Sequence, residues 1–400
     1  MDLKSKIKSL AADFYEEIVD IRRHLHQNPE LSFQEYNTSK YICSVLDAMN
    51  ISYKTGYVNT GIVAHIKGKN PDKKVIALRA DIDALPINEQ NELEYKSSKE
   101  GVMHACGHDV HTSSLLGTAK ILNQLTSEFE GTVKLIFQPG EEKLPGGASL
   151  MIKEGALENP KANAIIGQHV FPDLEVGKVG FRKGMYMASA DEIYVTVKGK
   201  GGHAALPHKY NNPLIIASDL LLSLQEVFMK NTKGLVPDNV PSVLAFGKIK
   251  GEGATNVIPN EVLIEGTFRT MNEEWRKKAH QIMRDLANET AQKYNASIDF
   301  DIQVGYPFLV NDENLTGQCI SFAEEYVGKE NVVTLDLRMT AEDFAYYSQL
   351  MPACFYRLGT RNEAKNITHG LHTPFFNIDE EALRTSTGLM AWLTIKALNS

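Results

Sequence analysis

The chain has 400 residues, of which 43% are hydrophobic and 23% charged, and its formal net charge is −8 at pH 7. This length exceeds that of most single domains, so we expect two domains. The acidic balance argues against nucleic acid or an anionic membrane as a partner. Four widely spaced cysteines without a C-x-x-C pair, no signal-peptide pattern and no apolar run long enough to cross a bilayer predict a cytoplasmic protein.

The first half of the chain alternates short apolar runs with a helical pattern. Their β-branched content predicts strands at 60–67, 74–79, 131–138 and 164–170. Apolar residues at helical spacing predict a helix at 111–125. This alternation indicates a mainly parallel sheet flanked by helices, and ligands of such sheets bind beyond the carboxyl ends of the strands.

The pattern changes near residue 190. Strands at 191–198, 242–250, 262–270 and 297–306 and helices at 213–229 and 273–294 follow the order β-α-β-β-α-β, which is ferredoxin-like. The helix at 213–229 has Asn212 as its N-cap and Pro213 at its first position. A helix at 314–326 and late strands and loops at 351–359 and 375–379 complete the chain. We therefore predict an α/β protein in which an α+β domain at 188–306 is inserted between two segments of a larger domain, 1–187 and 307–400.

Side chains that bind metals follow the predicted strands. Carboxylates, imidazoles and a thiol stand at strand ends, in the stretch MHACGHDVH (103–111) and late in the chain: Asp81, Asp83, Cys106, His108, Glu141, Glu142, His169 and His372. In a parallel sheet these positions share one rim. The set suits divalent ions such as Zn²⁺, Mn²⁺, Co²⁺ or Ni²⁺. It also exceeds what one four-coordinate ion needs, so we expect two ions about 3.5–4 Å apart.

Other histidines are less informative. His104 and His111 flank the Cys106 segment, and spacing alone does not decide which of these histidines binds metal. We interpret His24 and His26 as helix-end and packing residues.

The stretch GKGGHA (199–204) fits G-x-G-x-x-A after a strand, with Asp219 about 20 residues on, as in a dinucleotide-binding motif. However, Asp219 lies within a predicted helix, and Pro207 interrupts the phosphate-binding helix. A glycine-rich loop that presents His203 fits better.

Several longer segments resemble the metal-dependent amidohydrolases of the M20 peptidase family, over nearly the whole chain and in order. They include LRADIDALPI (78–87), GVMHACGHDVHTSSLLG (101–117), FQPGEE (137–142), GKGGHAALPH (199–208), ATNVIPNEVLIEGTFRT (254–270) and LHTPFF (371–376). Within the family, they are similar to the N-acyl-amino-acid amidohydrolases, hippurate hydrolases and auxin-conjugate hydrolases.

The resemblance implies a di-metal catalytic domain interrupted by a ferredoxin-like lid at 188–306 that forms a homodimer. It implies hydrolysis of N-acyl amino acids, with acetyl, benzoyl or similar acyl groups, by metal-activated water. It also implies residue roles: metal ligands Cys106, His108, Glu142, His169 and His372; general base Glu141; Asp83 orienting a ligand imidazole; oxyanion stabiliser His203 from the other subunit; and Asn256 and Arg269 on the substrate carboxylate.

The chain departs from the general family pattern at two positions. Asp81 stands where many relatives have a histidine, and Cys106 lies in a segment where many have an aspartate. These residues favour the cysteine-bearing amidohydrolases. Because a thiolate prefers softer ions, they also leave the identity of the metals open.

Three other functions stay open from the residues alone. The same site can serve a dipeptidase or carboxypeptidase. Cys106 can be a thiol nucleophile, although His108 is poorly placed as its base at only two residues away. A non-catalytic protein that binds metal or amino acids would leave Glu141 idle.

Overall fold

The computed structural model describes residues 1–400. The chain forms two units, one of Met1–Gly184, Val310–Asp336 and Asp343–Ser400 and a smaller one of Met185–Leu309 and Leu337–Glu342. The helices are α1 (Leu3–Asp13), α2 (Tyr15–Gln27), α3 (Tyr36–Ala48), α4 (His108–Gln124), α5 (Gly147–Lys153), α6 (Pro213–Phe228), α7 (Glu273–Lys293), α8 (Glu313–Val327), α9 (Ala345–Ser348) and α10 (Glu381–Asn399). The strands are β1 (Tyr53–Tyr57), β2 (Gly61–Lys67), β3 (Val75–Asp81), β4 (Thr132–Gln138), β5 (Ala164–Glu175), β6 (Val179–Phe181), β7 (Gly184–Met187), β8 (Asp191–Lys198), β9 (Gly202–His203), β10 (Ser242–Lys250), β11 (Val257–Ile258), β12 (Glu261–Thr270), β13 (Ser297–Val304), β14 (Leu309–Asn311), β15 (Val332–Thr334) and β16 (Ala353–Arg361).

The larger unit is built on an eight-stranded sheet in the order β1-β2-β4-β3-β5-β16-β6-β15. Its four central strands, β4, β3, β5 and β16, are parallel to one another. Every residue of β3 and β4 is buried, as expected for strands covered on both faces. The predicted fold class, a mainly parallel sheet with helices, is confirmed.

The register of the central strands sets the position of the candidate site. β3 and β4 pair up to Asp81↔Gln138, so the residues that follow both strands leave the same edge of the sheet. β5 was expected to end at residue 170, but it continues to Glu175 because its pairing with β16 extends that far. The last partner of β5 on β3 is Arg79↔Gly167. His169 therefore lies two residues past the last β5 residue paired with β3, at the level of Asp81.

Helix α4 begins at His108, three residues before the predicted start. Gly107 precedes it with φ 84°, a conformation that favours glycine, and a Cβ there would meet a side-chain methyl of Val170 at 2.5 Å. The close approach brings the start of α4 against β5.

The buried helix α10 packs on α4 and was not predicted from the sequence.

The smaller unit contains a four-stranded antiparallel sheet in the order β10-β12-β8-β13. Alternate residues of β8, Ile193, Val195 and Val197, are buried with apolar residues of α6 and α7. The Asn212 side chain caps α6, accepting from the Leu214 amide at 3.0 Å. This is the predicted β-α-β-β-α-β arrangement. The domain ranges 1–187, 188–306 and 307–400, and the lid role of the middle one, stay predictions.

Two smaller points complete the fold. Residues 375–379 form no strand, and the late strand predicted at 351–359 is β16. None of the helices combines the length and apolar character needed to cross a membrane.

Candidate metal centre

The five predicted metal ligands come from separate parts of the larger unit. Cys106 precedes α4, and His108 is the first residue of that helix. Glu142 follows β4 and His169 lies in β5. His372 lies in the loop between β16 and α10, with φ 59°, and its amide donates to the carbonyl of Ala105 at 2.8 Å. That bond ties the loop to the residue beside Cys106.

Their donor atoms converge. The sulfur of Cys106 lies 3.4 Å from Nε2 of His169 and 3.3 Å from Nε2 of His372. Oε1 of Glu142 lies 3.3 Å from the same nitrogen of His372 and 3.8 Å from Nε2 of His108. Ligands about 2.0–2.3 Å from a tetrahedral ion are separated by about 3.3–3.8 Å. The spacing of these atoms fits shared coordination.

Unpartnered polar atoms show that a cation fits among these residues. Nε2 of His108 and Oε1 of Glu142 are buried and have no hydrogen-bond partner. Around that nitrogen, oxygens of Asp81, Glu141 and Glu142 lie at 3.7 to 3.9 Å. A buried ring nitrogen that has no hydrogen-bond partner and faces several carboxylates is a favourable place for a cation.

The electrostatics of the site also favour a bound cation. Burial lowers the pKa of His108, but the nearby carboxylates of Asp81, Asp83 and Glu142 outweigh it and raise that pKa to about 10. Burial, and then the carboxylates of Glu142 and Glu141, raise the pKa of the Cys106 thiol well above its ordinary value. The site therefore attracts positive charge, and a bound ion would favour the thiolate.

Hydrogen bonds orient two of the ligand rings. Nδ1 of His108 lies 2.9 Å from the carbonyl and 3.1 Å from Oδ1 of Asp83, so this nitrogen carries a proton and Nε2 is the nitrogen left to bind an ion. Nδ1 of His169 likewise donates to the carbonyl of Val170 at 2.8 Å. Asp83 is itself held, because its Oδ2 accepts from Ser32 Oγ at 2.6 Å and from the Glu142 amide at 3.0 Å. These contacts match what a residue that orients a ligand must do.

Glu141, the predicted general base, is 6% exposed and lies beside the ligand atoms. Its Oε2 is 3.9 Å from Nε2 of His108. The turn before it is anchored, because the amide of Gly140 donates to Oε1 of Glu35 at 2.9 Å. Two adjacent carboxylates, Glu141 and Glu142, thus reach one site from one anchored turn.

The structure separates the two flanking histidines whose roles the sequence left open. His111 has both ring nitrogens engaged: Nδ1 lies 2.6 Å from Oδ1 of Asp81, and Nε2 accepts from the Val170 amide at 2.9 Å. His104 is buried with neither ring nitrogen hydrogen-bonded, and burial lowers its pKa to about 4, so it is neutral. The interaction of His111 with Asp81 was not predicted.

Two N-terminal histidines pack as interpreted from the sequence. His24 stacks on Tyr41 with ring centroids 3.8 Å apart. His26 is fully buried, with its ring nitrogens 2.8 Å from Oδ2 of Asp109 and 3.1 Å from Oε1 of Glu89. Asp109 also accepts from Nε of Arg22, so it takes part in a buried ion-pair network rather than in the ligand cluster.

The remaining predicted residues lie in the smaller unit. His203 in β9 pairs with Val257 of β11, and the amide of the following Ala204 donates to the carbonyl of Asn256 at 3.0 Å, which brings His203 and Asn256 close together. Both side chains are exposed. Arg269 in β12 is half-buried and donates to the carbonyl of Met339 at 3.1 Å.

A mainly parallel sheet with this donor cluster at the edge where β3 and β4 end defines a metal-binding α/β protein. Residues 77–394 match Peptidase family M20/M25/M40, and the chain belongs to this family. The resemblance predicted from the sequence is confirmed.

Relatives with assigned activities cover nearly the whole chain. N-acetylcysteine deacetylase of Bacillus subtilis is 38% identical over 390 residues, 97% of this chain and 98% of its own length. IAA-amino acid hydrolase ILR1-like 5 of Arabidopsis thaliana is 39% identical over 393 residues, 96% of this chain and 88% of its own. Thermostable carboxypeptidase 2 of Saccharolobus solfataricus is 35% identical over 402 residues, the full length of both chains.

A solved structure agrees with these relatives. The crystal structure of the Bacillus subtilis YXEP protein, a dinuclear metal-binding peptidase of the M20 family, superposes with a TM-score of 0.83 at 36% identity, covering 97% of this chain and 99% of that one. The protein is therefore an enzyme that hydrolyses amide bonds with two divalent metal ions as its cofactor.

Proposed function

We propose that the enzyme hydrolyses N-acyl amino acids to a carboxylic acid and a free amino acid. The observation that carries this proposal is the cluster of buried donors that surrounds Nε2 of His108, with Glu141 beside it. Two relatives named as an N-acetylcysteine deacetylase and an IAA-amino acid hydrolase support the acyl-amino-acid substrate.

We assign five side chains as ligands of the two ions: Cys106, His108, Glu142, His169 and His372. The grouping of Cys106 with both His169 and His372 supports this set, as does the proximity of His108 to Glu142. When bound, the ions supply an activated water near neutral pH and polarise the amide carbonyl.

Glu141 accepts the proton of the attacking water and passes it to the departing nitrogen, which is a poor leaving group without it. Its neighbour Glu142 is committed to metal, so two adjacent carboxylates perform different tasks. The low exposure of Glu141 keeps bulk water from competing for that proton.

Residues of the smaller unit complete the proposed mechanism. His203 donates a hydrogen bond to the oxyanion of the tetrahedral intermediate. Arg269 offers a planar pair of donors for the carboxylate of the amino acid, and Asn256 adds a further donor. Burial lowers the pKa of Arg269 without neutralising it, which suits a residue that binds an anion away from bulk water.

We further propose a homodimer formed through the smaller unit, with His203 serving the site of the partner subunit. Ile215, Leu222 and Met229 repeat every seven residues along and just beyond α6 and are 57%, 61% and 54% exposed. Strand β10 lies at the edge of its sheet, where it can pair with another strand. Both features suit an interface between two copies.

We also propose a cytoplasmic location, where the four free cysteines would stay reduced.

A second candidate function is cleavage of dipeptides or removal of C-terminal residues from peptides, which the carboxypeptidase relative favours. A panel of N-acetyl and N-benzoyl amino acids and dipeptides, compared by kcat/KM with metal-loaded enzyme, separates the two. Higher kcat/KM for the acyl amino acids supports our proposal. A general preference for dipeptides overturns it.

A further inference from the structure

We propose that His111 is a positioning residue that fixes His169 for metal binding through the backbone of Val170. This inference deepens the proposed function and rests on the ligand role assigned there to His169. It gives a task to a histidine that neither its spacing nor the resemblance explains.

Hydrogen bonds determine the tautomer of His111. Its Nε2 lies 2.9 Å from the amide nitrogen of Val170, which can only donate, so Nε2 carries the lone pair. Nδ1 then carries the proton and donates to Oδ1 of Asp81 at 2.6 Å. With both nitrogens used by protein groups, His111 has no lone pair left for a metal, although it lies close to His108 and Asp81.

Val170 connects His111 to His169. The carbonyl of Val170 accepts the Nδ1 proton of His169 at 2.8 Å, and that bond directs Nε2 of His169 towards the sulfur of Cys106. The rings of His111 and His169 are also in contact, with centroids 4.6 Å apart at 58°. Movement of the Val170 backbone would therefore turn the His169 ring, and His111 restrains both.

The sheet explains why an imidazole is needed at this point. β3 pairs with β5 only up to Arg79↔Gly167, so no strand residue of β3 is paired with β5 as far along as Val170. The Val170 amide is buried and has to find an acceptor. His111, from the first turn of α4, supplies that acceptor in place of a strand carbonyl.

Asp81, at the other end of this series of contacts, is itself held by hydrogen bonds. Oδ2 of Asp81 accepts from Nη1 of Arg79 at 2.6 Å, and Nη2 of the same guanidinium donates to Asp343 at 2.7 Å. The carbonyl of Asp81 accepts from Oγ1 of Thr112, the residue after His111. Both carboxylate oxygens of Asp81 therefore accept hydrogen bonds from the protein, one from His111 and one from Arg79. These bonds fix the position from which Asp81 orients the His111 ring.

Three substitutions of His111 separate hydrogen bonding from packing. Glutamine offers an amide NH to Asp81 and an oxygen to the Val170 amide, so His111→Gln can form both contacts after a small shift of the side chain. His111→Asn is too short to reach Val170 and keeps only the Asp81 contact. His111→Leu keeps bulk and loses both hydrogen bonds. Each variant is purified as the full chain, stripped with a chelator and titrated with Co²⁺, whose absorption bands report the thiolate and imidazole ligands, and with Zn²⁺ in competition with a chelator.

We expect His111→Leu and His111→Asn to bind one of the two ions about 10–100-fold more weakly, with altered cobalt bands, and His111→Gln to remain within a few-fold of the wild type. Wild-type affinity in His111→Leu, or a glutamine variant as weak as the asparagine variant, would overturn the proposal. If His111→Leu does not fold, the asparagine and glutamine variants decide the question.

Two further variants locate the cause of any loss. His280→Leu removes a buried imidazole that is 2.6 Å from Oδ2 of Asp191 in the smaller unit, so it should lower stability and leave metal affinity unchanged. His169→Ala tests the ligand assignment itself. Loss of an ion in His169→Ala with no loss in His111→Leu defeats only the positioning role, whereas full metal binding by His169→Ala defeats the assigned ligand set.

Discussion

Nδ1 of His108 donates to Asp83, and Nε2 of the same ring faces Glu142 at 3.8 Å with no hydrogen-bond partner. The carboxylate of Asp83, together with its backbone carbonyl at 2.9 Å, thus determines which nitrogen is presented to the metal site. Asp83→Asn should weaken metal affinity about 10–100-fold, because the amide removes the charge and places an NH₂ against the Glu142 amide or His108. Chelator competition with Zn²⁺ measures the change.

A matched control for this variant is Ser32→Ala. It removes one of the donors to Oδ2 of Asp83 and leaves the His108 contact in place, so it should weaken affinity far less. Equal affinity in Asp83→Asn and the wild type would show that the backbone carbonyl of residue 83 orients His108 without the carboxylate.

Glu141→Gln should lower kcat by about 10²–10⁴-fold while the protein still binds two ions, because the amide cannot accept the proton of the attacking water. Steady-state kinetics and elemental analysis of the same preparation measure both quantities. Glu142→Gln is the paired variant and should lose metal as well as activity. Substantial turnover by Glu141→Gln would contradict its role as base, and loss of metal from it would make it a ligand instead.

His203→Ala should lower kcat by about 10²–10³-fold with a small change in KM, because the hydrogen bond is made to the oxyanion and not to the ground-state amide. The kinetics of His208→Ala serve as the control, since His208 is an exposed histidine of the same unit. An unchanged kcat in His203→Ala would exclude it from the mechanism.

Mixing two inactive variants tests whether His203 acts across the proposed dimer. After subunit exchange of Glu141→Gln with His203→Ala, half of the dimers are mixed, and each mixed dimer has one site with both residues intact. Activity should recover to about a quarter of the wild-type value. No recovery despite exchange, shown with differently tagged chains, would mean that His203 serves its own subunit.

Much of the metal centre could be predicted because parallel strands bring distant sequence positions to one edge. The pairing Asp81↔Gln138 places the residues after β3 beside those after β4. A carboxylate pair after each of two strands was therefore enough to expect Asp83 and Glu142 near each other. The ferredoxin-like order was equally visible, because β8 alternates and α6 carries a clear N-cap, Asn212.

The features of the site that the sequence did not reveal depend on tertiary contacts, which leave no pattern in the sequence. His111 meets the Val170 amide because β3 ends early and β5 continues, and nothing in either segment indicates that difference in length. The buried Arg79 is the one signal that was available, since a charged residue within an apolar strand requires partners. It points to Asp81 as a residue held by the protein.

Glu35 should make the stability of the enzyme depend on pH. Burial, and then the charge of Asp83, raise its pKa to about 7 from the ordinary 4.5. The folded chain therefore holds a proton on Glu35 that the unfolded chain releases between about pH 4.5 and 7, and stability falls as the pH rises through this window. Above pH 7 the full penalty applies.

Glu35→Gln should remove that penalty. Its amide can donate to Oγ1 of Thr60, and its oxygen can accept from the amides of Phe33 and Gly140, which contact the carboxylate at 2.8 and 2.9 Å. Relative to the wild type, the variant should gain about 2.5 kcal/mol between pH 5 and pH 8. Thermal unfolding of both metal-loaded proteins at the two pH values measures the gain. A difference in Tm that is the same at both would show that Glu35 is ionised throughout this range.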